Sequence, residues 1–336
     1  LFPYTTLFRS AGGEFDEKLA QIYLDKDMIP YSRERYVKAL DKFTELFGDQ
    51  EVAIYSAPGR SEVCGNHTDH QNGHVLATSI NLDAIAIVAP REDGVIELVS
   101  DDMPKEVINV NDIEQDPALE GTTTALIKGV VAGIRDYGFK VGGFTAFVTS
   151  DVLMGAGMSS SAAFESLIGT ILSGLYNDMK VSSVDVAKIG QYAENVYWDK
   201  ASGMMDQMAC AVGGPVLFDF ADRNDLKYSK LDFSYGKFDH KLVNVNTGKG
   251  HADLSQEYSE IPGEMKAAAK VLGAELLHET TLENLLAHVN EIQDDRAILR
   301  SIHFFEETSR VERAAEAIGK ADYEEFLKLM DESGKD

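Results

Sequence analysis

Cysteine, basic residues and long apolar runs are all scarce in this chain. Its 336 residues include two cysteines, Cys64 and Cys210, too few for a disulfide framework, so we expect a reducing, cytoplasmic environment. No apolar run approaches the ~20 residues that a membrane-spanning helix needs, which predicts no membrane partner. Internal repeats and low-complexity stretches are also missing from the sequence, which excludes a repeat architecture.

Positive charge is in short supply. Lys and Arg number 31 against 56 Asp and Glu, giving a formal net charge of −25. Such a surface repels a phosphate backbone, so we expect no nucleic acid partner. A small phosphate-bearing ligand is still possible, because backbone N–H groups and a magnesium ion can hold it locally.

The length of the chain and the order of its elements favour an α+β protein of two domains. We leave residues 1–12 unassigned and predict domains over 13–214 and 215–336, with the boundary at Gly213-Gly214-Pro215. Predicted strands cover 52–56, 74–80, 83–90, 94–100, 142–150, 215–220 and 241–246. Predicted helices cover 121–137, 159–175 and 183–198, and the pattern is helical from Asp253 onward.

A glycine-rich segment with three successive serines follows the predicted strand at 142–150. Glycines let the backbone approach a ligand, and the start of a helix offers unpaired N–H groups, so the segment is a candidate anion site. It is neither a dinucleotide fingerprint nor a Walker loop, and an ordinary glycine turn before a Ser-capped helix is the alternative. The candidate ligand-binding residues are Gly155, Ala156, Gly157, Met158, Ser159, Ser160 and Ser161.

A dense polar segment, residues 57–73, follows the predicted strand at 52–56. Asn, His and Asp side chains offer donors and acceptors at several angles, as a polyol requires. A solvated loop would look similar. A metal site is a further alternative, because His67, Asp69 and His70 match part of a metallo-hydrolase pattern, but Gly65 stands where its first His belongs.

Three motifs in this chain resemble those of galactokinases in the GHMP small-molecule kinase family. Residues 155–162 resemble Gly-x-Gly-Leu-Ser-Ser-Ser-Ala, residues 59–73 resemble Gly-Arg-x-Asn-x-x-Gly-Glu-His-Thr-Asp-Tyr-Asn-x-Gly, and residues 203–207 resemble Gly-x-Met-Asp-Gln. The motifs occur in family order, and the resemblance covers most of the chain. It implies a GHMP kinase fold, with a ribosomal-protein-S5-domain-2-like N-terminal domain and a ferredoxin-like, incomplete C-terminal domain.

The resemblance also implies a reaction, the ATP-dependent phosphorylation of the anomeric hydroxyl of galactose with Mg²⁺. Asp206 and Arg60 would be catalytic, and Ser160 and Glu194 would bind the metal. The sugar-binding residues would be Asn66, His67, Asp69, Gly203 and Tyr258. Another GHMP kinase, acting on an N-acetylated hexosamine, and a non-catalytic sugar sensor are the alternatives; the complete serine loop favours an enzyme.

The chain departs from the family pattern at several positions. Asn66 replaces a Glu and His70 replaces a Tyr in the sugar motif, which bears on discrimination at the far end of the sugar. A third glycine-rich motif, which the family carries near its C-terminus, has no counterpart after Tyr258. We therefore expect the chain to be a fragment with poor activity, against the alternative of a compact, complete variant.

Overall fold

The computed structural model describes residues 15–101, 103–200, 202–222, 225–245 and 255–335. Its strands are β1 (Ala53–Cys64), β2 (His74–Arg91), β3 (Val95–Ser100), β4 (Glu106–Asn109), β5 (Gly143–Ser150), β6 (Pro215–Asp219) and β7 (Lys227–Lys230). Its α-helices are α1 (Asp16–Tyr23), α2 (Ile29–Phe47), α3 (Thr123–Asp136), α4 (Ser160–Tyr176), α5 (Ser183–Tyr192), α6 (Met205–Val212), α7 (Ser255–Val271), α8 (Leu282–Ala287), α9 (Asp295–Gly319) and α10 (Tyr323–Ser333). Strands and helices are mixed along the chain, which agrees with the predicted α+β class.

The chain divides into two compact units that interleave in sequence. The first comprises the described parts of Leu1–Gly59, Ile80–Met154 and Ser159–Lys200. The second comprises those of Arg60–Ser79, Gly155–Met158 and Ala201–Asp336. The predicted domain boundary after residue 214 stays a prediction, because compactness alone does not establish which segments fold independently.

In the first unit, the strand order is β4-β3-β5-β2. Strand β5 runs parallel to β3 and antiparallel to β2, and its residues from Gly143 to Val148 are all buried. Helices α1 and α2 close one side of this core, where Phe43 packs with Ile85 and Phe147. A strand buried on both faces has a nearly continuous apolar sequence, and in the buried part of β5 only Thr145 interrupts it.

In the second unit, the beginning of β2 pairs antiparallel with β6, and β6 pairs antiparallel with β7. Helices α9 and α10 pack on this part of the sheet through Val311, Phe326 and Leu329, which contact Val63 and Leu76. The end of β1 and the beginning of β2 therefore share one hydrophobic core with α9 and α10.

Several elements differ from the predictions because packing extends or interrupts a local pattern. Strand β1 continues to Cys64, into the polar segment, and β2 is one strand where two were predicted. The predicted helix at 183–198 changes at Ala193 to a π-helical turn that ends at Trp198. Residues 241–245 are not a strand, and Asn246 lies outside the described residues. Across the described helices, none has both the length and the apolar content to cross a membrane.

Candidate active site

The glycine-serine segment forms a turn that leads directly into helix α4. Gly155 and Gly157 have φ angles of 71° and 72°, in the left-handed region where a side chain is strained. Ser159 also has a positive φ, 56°, and α4 begins at the next residue. The predicted strand–turn–helix arrangement is thus present, with the N-terminus of a 17-residue helix following the glycines.

Arg60 joins two of the predicted motifs within the second unit. Its Nε donates to Asp206 Oδ1 at 2.7 Å, and its Nη1 donates to the carbonyl oxygen of Gly157 at 2.6 Å. The backbone N–H of Arg60 also donates to the Met158 carbonyl at 3.1 Å. Burial lowers the pKa of Arg60, but the negative charge of Asp206 outweighs it and leaves that pKa raised, so the guanidinium stays charged.

Helix α6 carries Asp206 as its second residue, and Asp69 holds the start of that helix. Asp69 Oδ2 accepts the backbone N–H of Met205 at 2.9 Å. Asp69 lies in a 3₁₀ turn, Thr68–Gln71, that follows β1, and it is 3% exposed. A Cβ added to Gly203 would overlap the Asp69 carboxylate, so a larger residue there would have to displace that carboxylate. The polar segment, residues 57–73, and the motif at residues 203–207 are therefore packed directly against each other.

His67 lies among charged groups of the second unit. Its Nδ1 is 4.0 Å from Asp69 Oδ1, and its Nε2 is 3.9 Å from Glu62 Oε2. Burial favours the neutral imidazole, but the negative charges of Glu62, Asp206 and Asp69 outweigh it, and the pKa of His67 is raised. Burial also raises the pKa of Glu62, with His67 and Arg60 acting in the opposite direction.

Asn66 is hydrogen-bonded to the end of helix α10. Its Nδ2 donates to the backbone oxygen of Ser333 at 2.9 Å and lies 3.3 Å from the Ser333 hydroxyl oxygen. The Ser333 hydroxyl in turn donates to Glu307 Oε2 at 2.7 Å. The role of Asn66 as a direct sugar ligand stays a prediction; the contact that the structure shows is with α10.

In the first unit, Glu194 lies in the π-helical turn after α5 and is 2% exposed. Its Oε1 accepts the Ser161 hydroxyl at 2.6 Å and pairs with Lys200 Nζ at 2.8 Å. The hydroxyl that contacts Glu194 thus belongs to Ser161, and the assignment of Ser160 as a metal ligand stays a prediction. Within the described residues, no group of three or more His, Cys, Asp or Glu side chains could hold a metal ion.

Tyr258 falls in helix α7, but its side chain lies outside the described part of the structure, so its predicted contact with sugar stays a prediction. Sequence reasoning missed three participants, Glu62, Lys200 and Glu307, and it named Ser161 as a ligand-binding residue without its contact with Glu194. Only Glu62 left a signal in the sequence, because it occupies a position where the sugar motif has Asn.

Comparisons with known proteins indicate the same family as these motifs. The galactokinase galactose-binding signature matches residues 41–90, and the GHMP kinases N-terminal domain matches residues 125–214. A galactokinase of Clostridium tetani is 31% identical over 312 residues, covering 91% of this chain and 79% of that protein. One from Limosilactobacillus reuteri is 30% identical over 305 residues, covering 88% and 77%.

A solved galactokinase structure has the same fold as this chain. The crystal structure of Lactococcus lactis galactokinase complexed with galactose superimposes with a TM-score of 0.75 at 25% identity. The match covers 88% of this chain and 78% of that one. The predicted GHMP kinase fold is confirmed.

Proposed function

The chain belongs to the galactokinase family of GHMP kinases, and we propose that it transfers the γ-phosphoryl group of ATP to the anomeric hydroxyl of galactose. The observation that carries this proposal is the position of Arg60, whose guanidinium contacts both Asp206 and the carbonyl of Gly157 in the glycine turn. One side chain thereby connects the predicted acid to the predicted phosphate-binding loop. A phosphotransferase requires this proximity, because the sugar hydroxyl must meet the phosphoryl group in line.

In the proposed reaction, the anomeric oxygen forms a bond to the γ-phosphorus and the bond to the leaving ADP oxygen breaks. Asp206 either accepts the hydroxyl proton or orients the hydroxyl for attack. Arg60 keeps the Asp206 carboxylate in place and offers positive charge beside the reacting oxygen. Asp69 fixes the start of α6 and so the position of Asp206, while His67 and Asp69 supply polar groups for the sugar hydroxyls.

The nucleotide phosphates are proposed to bind at the glycine turn and the start of α4, where backbone N–H groups are available. Glu194 and the serine hydroxyls are oxygen donors of the kind that Mg²⁺ prefers, and Glu194 is a buried carboxylate, so these residues fit the ion. Bound Mg²⁺ would neutralise charge on the phosphates during transfer. With a single carboxylate in place, the remaining ligands would come from phosphate oxygens and water.

The two-domain division at residues 13–214 and 215–336, and a location in the cytoplasm, are proposed alongside this function. They rest on the glycine-rich boundary at Gly213-Gly214 and on the two free cysteines, Cys64 and Cys210, both buried. Limited proteolysis at the boundary would test the first of these.

ADP release with a panel of sugars tests the proposed function. We expect galactose to be the preferred acceptor, glucose to react poorly, and 6-deoxygalactose to be tolerated. Faster turnover of an N-acetylhexosamine would favour the alternative kinase, and sugar-dependent ATP binding without ADP release would favour a sensor. The same assay tests the expectation of poor catalysis, since turnover within the usual ~1–10³ s⁻¹ would contradict it.

A further inference from the structure

A carboxylate and an amide stand in exchanged positions in the sugar segment. The motif that this segment resembles has Asn at the position of Glu62 and Glu at the position of Asn66. The segment therefore has one carboxylate and one amide at these two positions, as the motif does, but its carboxylate lies four positions closer to the N-terminus. The structure shows what each side chain does in its new place.

The amide of Asn66 serves as an anchor for the loop. Its Nδ2 donates to the Ser333 backbone oxygen at 2.9 Å, at the end of α10. Glu307, which is fully buried, accepts the Ser333 hydroxyl at 2.7 Å and the backbone N–H of Gly65 at 2.9 Å. Gly65 and Asn66 both have positive φ angles, 120° and 39°, so this turn needs such support. Asn66 is thus committed to a contact with the protein.

The carboxylate of Glu62 lies beside His67, one of the candidate sugar-binding residues, and its side chain is 14% exposed. Glu62 and Arg60 are two positions apart on β1, and such residues lie on the same face of a strand. Arg60 uses that face to reach Asp206. Glu62 Oε1 accepts the backbone N–H of His67 at 2.9 Å, and its Oε2 lies 3.9 Å from the His67 ring. A carboxylate has about four acceptor sites, so these contacts leave capacity for hydroxyl groups.

We propose that Glu62 is a specificity-determining residue, whose carboxylate accepts a hydrogen bond from one hydroxyl of the bound hexose. Asn66, in the same proposal, positions the loop and makes no direct contact with the sugar. This inference rests on the proposed function and adds to it the residue that recognises one hydroxyl of the substrate.

The test compares Glu62→Gln with the unaltered protein on galactose and on its monodeoxy analogues, one for each hydroxyl except the anomeric one. Glutamine keeps an acceptor for the His67 N–H and removes the charge. We expect kcat/KM on galactose to fall by roughly tenfold to a hundredfold, as for a lost charged hydrogen bond. On the one analogue that lacks the partner hydroxyl, the substitution should have little further effect, because the contact is already gone.

Glu312→Gln is the matched control. Glu312 Oε1 lies 3.1 Å from His74 Nδ1, so it also pairs with a histidine of the second unit, but its side chain is 61% exposed. Glu312→Gln should leave kcat/KM unchanged for every sugar of the panel. Asn66→Ala should lower kcat/KM by a similar factor for all of them, as expected of a residue that positions the loop.

Three results would overturn the inference: no effect of Glu62→Gln, an equal loss on every sugar, or a loss for Asn66→Ala confined to one hydroxyl. If Glu62→Gln fails to fold, Glu62→Asp, whose side chain is shorter by one methylene, is measured on the same sugars. An equal change of kcat/KM on every sugar would again overturn the inference. The proposed function fails separately: an unaltered protein that phosphorylates no hexose contradicts both proposals, whereas galactose turnover with a uniform Glu62 effect contradicts this one alone.

Discussion

Two arginine–aspartate pairs, one in each compact unit, have similar geometry and differ in their surroundings. In the first unit, Arg35 Nη1 lies 2.5 Å from Asp83 Oδ1, with side chains 8% and 3% exposed. In the second, Arg60 Nε lies 2.7 Å from Asp206 Oδ1, with side chains 9% and 25% exposed. Both arginines are buried, so the difference lies with the acids.

Asp83 is enclosed by donors. Its Oδ1 faces Arg35, and its Oδ2 accepts the hydroxyls of Tyr23 at 2.9 Å and Ser56 at 2.5 Å. Burial, together with Tyr36 and Asp83, raises the pKa of Tyr23 and keeps it a donor. A carboxylate that is 3% exposed and held by three donors stabilises the fold and is closed to a substrate.

Asp206 keeps a quarter of its side chain accessible, beside a glycine turn and a cluster of sugar-binding candidates. Its arginine also holds the Gly157 carbonyl, so the pair is part of a site rather than a core. An ion pair therefore indicates a functional site when one partner remains accessible next to other reactive groups, and burial alone does not.

The largest effect should come from Asp206→Asn, which keeps an acceptor for Arg60 and removes the charge. We expect phosphoryl transfer to fall by roughly 10²–10⁴-fold, while ATP affinity and the melting temperature stay near those of the unaltered protein. Asp219→Asn is the control, since Asp219 is likewise paired with a potentially cationic side chain, His74 Nε2 at 3.4 Å, but lies outside the cluster. Near-native turnover of Asp206→Asn would remove Asp206 from the mechanism.

The second prediction concerns a variant that removes the acid of the Arg35–Asp83 pair. Asp83→Ala leaves the Arg35 charge buried, with Asp151 at 3.2 Å as its remaining acidic partner. The free energy of unfolding should fall by about 3 kcal/mol, near the lower end for a broken buried pair, because Asp151 compensates in part. Urea denaturation measures this change, and kcat/KM of the folded fraction should be close to native.

Glu34→Gln provides the contrast in the same unit. Glu34 pairs with Lys38 at 2.6 Å, but the two side chains are 66% and 73% exposed, so stability should change little. Equal loss of stability in Asp83→Ala and Glu34→Gln would contradict the distinction between a buried pair and an exposed one.

The third prediction concerns the packing that holds Asp206 in place. Gly203→Ala would push the Asp69 carboxylate away from the start of α6, and kcat/KM should fall by about 10²-fold through misplacement of the reacting groups. Gly263→Ala is a matched control, because an added Cβ there meets no atom within 4 Å. If both variants keep native kinetics, the contact of Gly203 with Asp69 does not position the site.

The smallest effect is on the titration of His67. Because the folded protein raises the pKa of His67 above its ordinary value, the charged imidazole stabilises the native state. This contribution is fully present below the unfolded pKa of about 6.5 and is lost as pH rises through the higher folded pKa. NMR titration should show a lower His67 pKa in Glu62→Gln than in the unaltered protein. An unchanged His67 pKa would mean that Glu62 is not its main negative neighbour.

Much of the local structure follows from the sequence alone. The turn at Gly155–Ser161, the start of α4, strand β5 and the order of the motifs were all predictable, because glycine conformation, helix capping and apolar runs act over a few residues. The chemical types in the site were predictable as well, since the motifs carry Asp206, Arg60 and His67 in their expected places.

Only the tertiary structure decided which of these residues meet. Arg60 reaches Asp206 across 146 positions, and Asn66 reaches Ser333 across 267. Ser161 contacts Glu194 across 33 positions, where the π-helical turn after α5 places that carboxylate. Such contacts depend on how whole elements pack against one another, and no pattern within a short stretch of sequence encodes that geometry.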